Sequence, residues 1–166
     1  MQISYKVLIN WDEKIKVHLV WIWGEEDGFM KRGKEGMLVV TDRRIAFITK
    51  TNMSYRIHEV HSLRQLKRFK EDGNVFCPLE GYDTNDLEND LNKSDENLEF
   101  PFSQIIDVTS EIKRWGTLLK VKVNIGEKSK IYKFSIVKGW VKYPAKDPIE
   151  FQRVDWNPVI NLIKTS

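Results

Sequence analysis

Between Ile15 and Trp23 the chain alternates strictly: Ile15, Val17, Leu19, Trp21 and Trp23 on one side, Lys16, His18, Val20 and Ile22 on the other. A period of two over nine residues fits a strand and no helix. The second half of this stretch is apolar on both faces, so something must cover its outer side. The pattern recurs downstream. Leu119, Val121, Val123 and Ile125 alternate with Leu118, Lys120, Lys122 and Asn124, and after the turn signal Gly126-Glu127-Lys128-Ser129 a return strand carries Tyr132, Phe134 and Ile136 on one face. A chain punctuated in this way folds around paired antiparallel strands.

The intervening sequence fills in that frame. A polar loop runs from Gly24 to Glu35. Met37–Thr41 and Arg44–Thr49 read as a hairpin about Asp42-Arg43. Thr51-Asn52 is a further turn signal, and Ser54–Val60 reads as a fourth strand, so 15–60 is expected to be a meander. Ser62 and Gln65 stand at capping-box spacing before a short helix over 63–70. Order returns over Leu98–Val108, where Pro101 restricts the strand to an edge or to its first residues. Gly139, Pro144 and Pro148 mark 138–153 as a long connection. Residues 1–12 fit a strand through Ile3, Tyr5, Val7 and Ile9 and a helix through Tyr5, Leu8 and Ile9.

The final element is a helix. Asp155 is a suitable cap and Pro158 is tolerated in a first turn. Trp156, Val159, Ile160 and Ile163 then form one apolar stripe at i, i+3, i+4 and i+7. Such a stripe must dock on the sheet. The resulting expectation is a mainly β domain over 1–166, with two packed antiparallel sheets or a partly open seven-stranded barrel, closed at one end by the C-terminal amphipathic helix. At 166 residues the chain buries enough surface to need no staple.

Charge divides the chain into three blocks. Residues 1–70 carry 14 Lys/Arg and 8 Asp/Glu, residues 71–100 carry 1 and 10, and residues 101–166 carry 12 and 6; the balances +6, −9 and +6 return the net +3. The acidic block reads as an insertion at about 71–97, a solvated excursion whose stretch 80–97 is expected to be dispensable for folding. Two mildly basic halves are not the concentrated stripe of a nucleic-acid binder. The single cysteine, Cys77, excludes an internal disulfide and suits a reducing, cytoplasmic compartment. The N-terminus lacks the pattern of a signal peptide.

Several segments resemble one family. Gly36-Met-Leu-Val-Val-Thr-Asp-Arg-Arg-Ile-Ala-Phe-Ile48 looks like the G-x-L-x-x-T-x-x-R-[LI] hairpin of the GRAM and bacterial PH-like domains. Phe100-Pro-Phe-Ser-Gln-Ile-Ile-Asp-Val108 is similar to their P-x-x-x-I-x-x-V strand, Tyr132-Lys-Phe134 to their aromatic return strand, and the helix from Trp156 matches in position. The resemblance covers about 13–60 and 98–164; the 62–97 insertion and the 138–153 connection depart from it. It implies a PH-like superfold and a non-catalytic interaction module that binds a protein segment, or a membrane surface with an anionic headgroup from a peripheral position. It also implies that the loops 24–36, 50–53 and 126–130 gather at one end of the barrel, with Lys31, Arg32, Lys34, Lys50, Lys128 and Lys130 as a cationic rim. Glu25, Glu26, Asp27 and Glu35 share the first of those loops and oppose its cations.

Chemistry-bearing motifs are sparse. On a strand, His58 and His61 point to opposite faces, which disfavours zinc. The stretch from Asp83 fails as a calcium loop at Leu87, Glu88 and Ser94. Gly126-Glu-Lys128-Ser129 resembles a P-loop tail without its first glycine and with a strand after it. Cys77 has no neighbour that marks a nucleophile. No enzyme activity, cofactor or metal is expected. Phe29 and Met30 at a loop tip fit an interface or packing back. Of the six tryptophans, Trp21, Trp23 and Trp156 fit the core, whereas Trp11, Trp115 and Trp140 fall near loops and cations. The alternative functions are a nucleic-acid-associated domain, using Lys120, Lys122 and Lys133 with loop aromatics, and a self-associating structural domain.

Overall fold

A computed structural model describes residues 12–28, 31–71, 73–139 and 150–166. Expectations for 1–11, for Phe29 and Met30, and for Trp140 with most of the 138–153 connection lie outside the described residues. Eight strands lie among the described residues: β1 (Ile15–Glu26), β2 (Lys34–Thr41), β3 (Arg44–Ile48), β4 (Leu98–Pro101), β5 (Ile105–Lys113), β6 (Gly116–Ile125), β7 (Lys128–Gly139) and β8 (Glu150–Phe151). They run antiparallel in the order β4-β3-β2-β1-β7-β6-β5, and β8 adds to β7 off that path. The sheet does not close: β4 and β5 are its edges, linked by a 3-10 turn at Phe102–Gln104. Pro101 sits at the end of edge strand β4, where a missing N–H costs no ladder bond. The expected mainly β domain with a terminal helix is therefore present.

The two meanders meet at the β1–β7 pair and share one core face. Val17, Leu19, Ile22, Leu38, Ile45 and Phe47 from the first pack with Val108, Leu119, Val121, Phe134 and Ile136 from the second. The C-terminal helix α3 (Asn157–Lys164) completes this core, and Trp156, Val159, Ile160 and Ile163 are all buried as their spacing predicts. Asp155 is not the formal cap. Trp156 holds that position, while Asp155 Oδ1 accepts from the Asn157 N–H at 2.9 Å.

The alternation read over 15–23 breaks midway. A bulge falls between Leu19 and Ile22, and Trp21 takes a left-handed φ of 57°. The bulge shifts the inward parity by one, so Ile22, and not Trp21, continues the face of Val17 and Leu19. Trp21 and Trp23 are only half-buried: Trp21 packs on the opposite face, and Trp23 lies over Gly33, where a Cβ would stand 2.3 Å from the indole. The bulge leaves the Val20 peptide without a ladder partner, and Gln65 supplies one. Its Oε1 accepts from Val20 N–H and its Nε2 donates to Val20 O, both at 2.9 Å. Gln65→Leu keeps the size but strands both buried groups. The expected loss is about 1–3 kcal/mol, read from urea unfolding.

Ser54–Val60 is not a strand. It opens helix α1 (Tyr55–Lys70), capped by Ser54, whose hydroxyl accepts from Ile57 N–H at 3.3 Å. Ser62, expected as the cap, lies inside the helix and donates to His58 O at 2.8 Å. The misreading has a physical cause, since α1 is polar on its buried side. His61, Ser62 and Gln65 face the sheet, while Tyr55 (83% exposed), Ile57, Val60 and Leu63 (60% exposed) face out. An apolar period read as a core face is here a surface.

The acidic block is likewise not a loose excursion. It contains helix α2 (Thr84–Lys93), opened by a reciprocal cap between Asp83 and Asp86. Leu87 and Asp90 are buried. Leu87 joins Val20, Met37, Val39, Ala46, Ile48, Leu79 and Tyr82 in a second core on the outer face of β1–β3. This is the cover that the apolar outer side of β1 demanded. The acids are specifically spent. Asp90 accepts from Tyr82 Oη (2.8 Å), Thr51 Oγ1 (2.7 Å) and the Asn52 N–H (2.7 Å). The partly buried Arg44 guanidinium joins Glu88, Glu99 (2.6 Å) and Glu13 (2.9 Å), and these carboxylates hold its pKa above the usual range against the opposing pull of burial.

Candidate binding cleft

The ends of β1 and β3 and the starts of β2, β4 and β7 meet at one end of the sheet and enclose a cleft of about 280 Å³. Two glycines shape its floor. A Cβ at Gly24 would lie 2.6 Å from the Phe47 ring, and one at Gly36 would lie 2.5 Å from Ile48 O and 2.9 Å from Phe47. Only bare backbone lets Phe47 lie flat across β1 and β2. Phe47 meets Phe134 with ring centres 5.2 Å apart, and Leu98 and Tyr132 complete the apolar lining. Burial, with a contribution from the Glu26 charge, pushes the Tyr132 phenol up, so it remains a neutral hydrogen-bonding group.

The rim is charged. Arg32, Lys34 and Lys130 stand among Glu25, Glu26 and Glu96. Glu26 pairs with Lys130 (3.4 Å) and Lys31 (3.5 Å), and Glu96 pairs with Lys34 (3.3 Å) and Lys50 (3.9 Å). Arg32 makes no ion pair among the described residues. Three of the six cations expected at a rim, Arg32, Lys34 and Lys130, line the cleft, and Lys31 and Lys50 reach it only through their pairs with Glu26 and Glu96. The geometry does not bring in Lys128, which pairs opposite Ile125 at the β6–β7 turn and does not line the cleft. It also adds opposing charge that sequence reasoning missed. Glu96 belongs to the block read as an excursion. Its place is fixed by the pairing of Leu98 with Phe47, a register that the sequence does not display.

The other candidate residues disperse. Lys120 pairs with Glu111 (3.2 Å) and Lys133 with Asp27 (3.4 Å), so neither offers an uncompensated charge to a phosphate backbone. Trp115 is half-exposed at the β5–β6 turn and packs on Phe151 at 4.8 Å between ring centres. His58 and His61 lie on helix α1, not a strand, so their three-residue spacing puts both on one side. Gly126, with φ 61°, forms the β6–β7 turn. Cys77 is half-buried and its thiol approaches Asn74 O at 3.3 Å. Among the described residues no group of three or more His, Cys, Asp or Glu side chains converges as a metal centre, and no helix is long and apolar enough to cross a membrane.

No family model matches the chain, and no curated protein matches its sequence.

Proposed function

We propose that the chain is a non-catalytic interaction module of PH-like type that takes a short segment of a partner protein into the cleft between β1, β4 and β7. The strand order and the helix at the C-terminus support the PH-like reading. The observation that carries the function is an aromatic floor beneath a rim whose lysines are already matched by carboxylates. A phosphorylated headgroup needs converging, uncompensated cations and would have to displace Glu26 and Glu96. A peptide satisfies both parts of the cleft: an apolar side chain on Phe47 and Phe134, and its own polar and charged groups along a mixed rim. Arg32, which makes no ion pair among the described residues, favours an acidic residue beside the apolar anchor.

Selection from a random peptide library tests this reading. Binders are expected to combine an apolar anchor with an acidic neighbour. Arg32→Glu should weaken them by about tenfold or more, the effect of one lost charge-assisted contact and a new repulsion. Vesicles containing phosphatidylserine should show no binding that depends on Arg32, Lys34 or Lys130. An empty selection, with vesicle binding lost in Arg32→Glu and Lys34→Glu, would overturn the peptide reading in favour of the headgroup.

A further inference from the structure

The chain has three histidines, and the fold gathers all of them beneath α1. His18 comes from β1, His58 and His61 from the helix. His18 and His61 are buried with ring centres 6.1 Å apart and planes tilted by 52°. Met37, on the neighbouring strand, places its thioether sulfur 3.3 Å from His18 Nε2. On the other side the Tyr82 ring lies 4.5 Å from His18, but its hydroxyl is committed to Asp90. His18 Nδ1 and both ring nitrogens of His61 have no hydrogen-bond partner among the described residues.

Three unpaired imidazole nitrogens in an apolar layer are a cost that a fold carries only for a reason. An ion taken by His18 Nε2 beside the Met37 sulfur would give a partner to one of them, on the facing His61 ring. Two imidazoles bound to a single ion, each with a metal–nitrogen bond of about 2 Å, have ring centres roughly 5–6 Å apart. A nitrogen and a sulfur 3.3 Å apart can share the same ion at ordinary bond lengths. No carboxylate pairs with His18 or His61 among the described residues, so the donor set is neutral. A neutral nitrogen and thioether set suits a soft monovalent ion better than a hard or divalent one.

We propose that His18, His61 and Met37 form a buried copper(I) site between β1, β2 and α1. It is separate from the cleft and does not depend on the peptide reading. The free thiol of Cys77 would also take copper(I), so the test uses Cys77→Ser protein, titrated anaerobically with copper(I) against a chromogenic chelator. One equivalent is expected to bind. His61→Ala should weaken it on the order of 100-fold and Met37→Leu about tenfold, while His58→Ala leaves it unchanged. Silver(I), a spectroscopically silent stand-in, should shift the imidazole 15N signals of His18 and His61 in otherwise unaltered protein and spare those of His58, a readout that needs no variant to fold. Uptake no tighter than in His61→Ala, unmoved imidazole signals, or zinc(II) bound as tightly as copper(I) would each overturn the proposal.

Discussion

Trp156→Ala is expected to lower stability by about 3–5 kcal/mol, a large share of what a domain of this size has to spend. Trp156 is fully buried where both meanders converge, and it packs against the tilted ring of Phe76 with ring centres 5.5 Å apart. Truncation leaves a cavity bounded by strands held in register on both sides, so the walls cannot collapse into it. The indole N–H has no hydrogen-bond partner among the described residues, which separates two contributions. Trp156→Phe forfeits some volume but no hydrogen bond, and should cost clearly less than alanine. Lys164→Ala, on the exposed side of α3, should move stability by under about 0.5 kcal/mol. Denaturant midpoints for the three variants check the ranking. An alanine midpoint equal to the unaltered chain would mean that α3 is not part of the core.

The second large effect concerns the acidic segment. Leu87→Ala should cost about 2–5 kcal/mol, the range for a fully buried leucine. Replacing 80–97 with a short Gly/Ser bridge should abolish the cooperative transition. It removes Tyr82, Leu87 and Asp90 together, bares the outer face of β1–β3, and takes Glu88 from Arg44. Circular dichroism melts of the two variants decide between this and a decorative loop. A bridged chain that melts like the parent would show that the second core is not needed.

That result bears directly on what a sequence discloses. The β6–β7 hairpin and α3 were legible because a single buried face imposes its period on the residues, whereas the β2–β3 hairpin, buried on both faces, was legible from two short apolar runs about the Asp42-Arg43 turn. α1 was not legible over 55–60. Its inward residues bond to backbone instead of burying apolar area, so Gln65 meets Val20 while Ile57 and Val60 stay in solvent. The acidic block misled for a related reason. Composition counts charges without their partners, and Asp90 and Glu88 are spent on turn donors and on Arg44, groups 38 or more positions away in sequence. The bulge at Trp21 was hidden because the residues on both sides of it are apolar, so a shift of parity leaves the pattern unchanged. At the cleft, the basic loops were visible one by one. Their carboxylate partners and the Phe47–Phe134 floor depend on strand register, which brings 24, 47, 98 and 132 together.

If the chain is a peptide-binding module, the cleft between β1, β4 and β7 is where the partner segment binds. An amide-resolved NMR titration of the 15N-labelled protein, with a peptide taken from the library selection, tests it most directly. The largest shifts are predicted at Gly24, Phe47, Leu98, Tyr132 and Phe134, with Arg32 following and the β5–β6 turn at Arg114 and Trp115 unmoved. Shifts centred on that turn or on the outer face of α1, with the cleft amides unchanged, would contradict it.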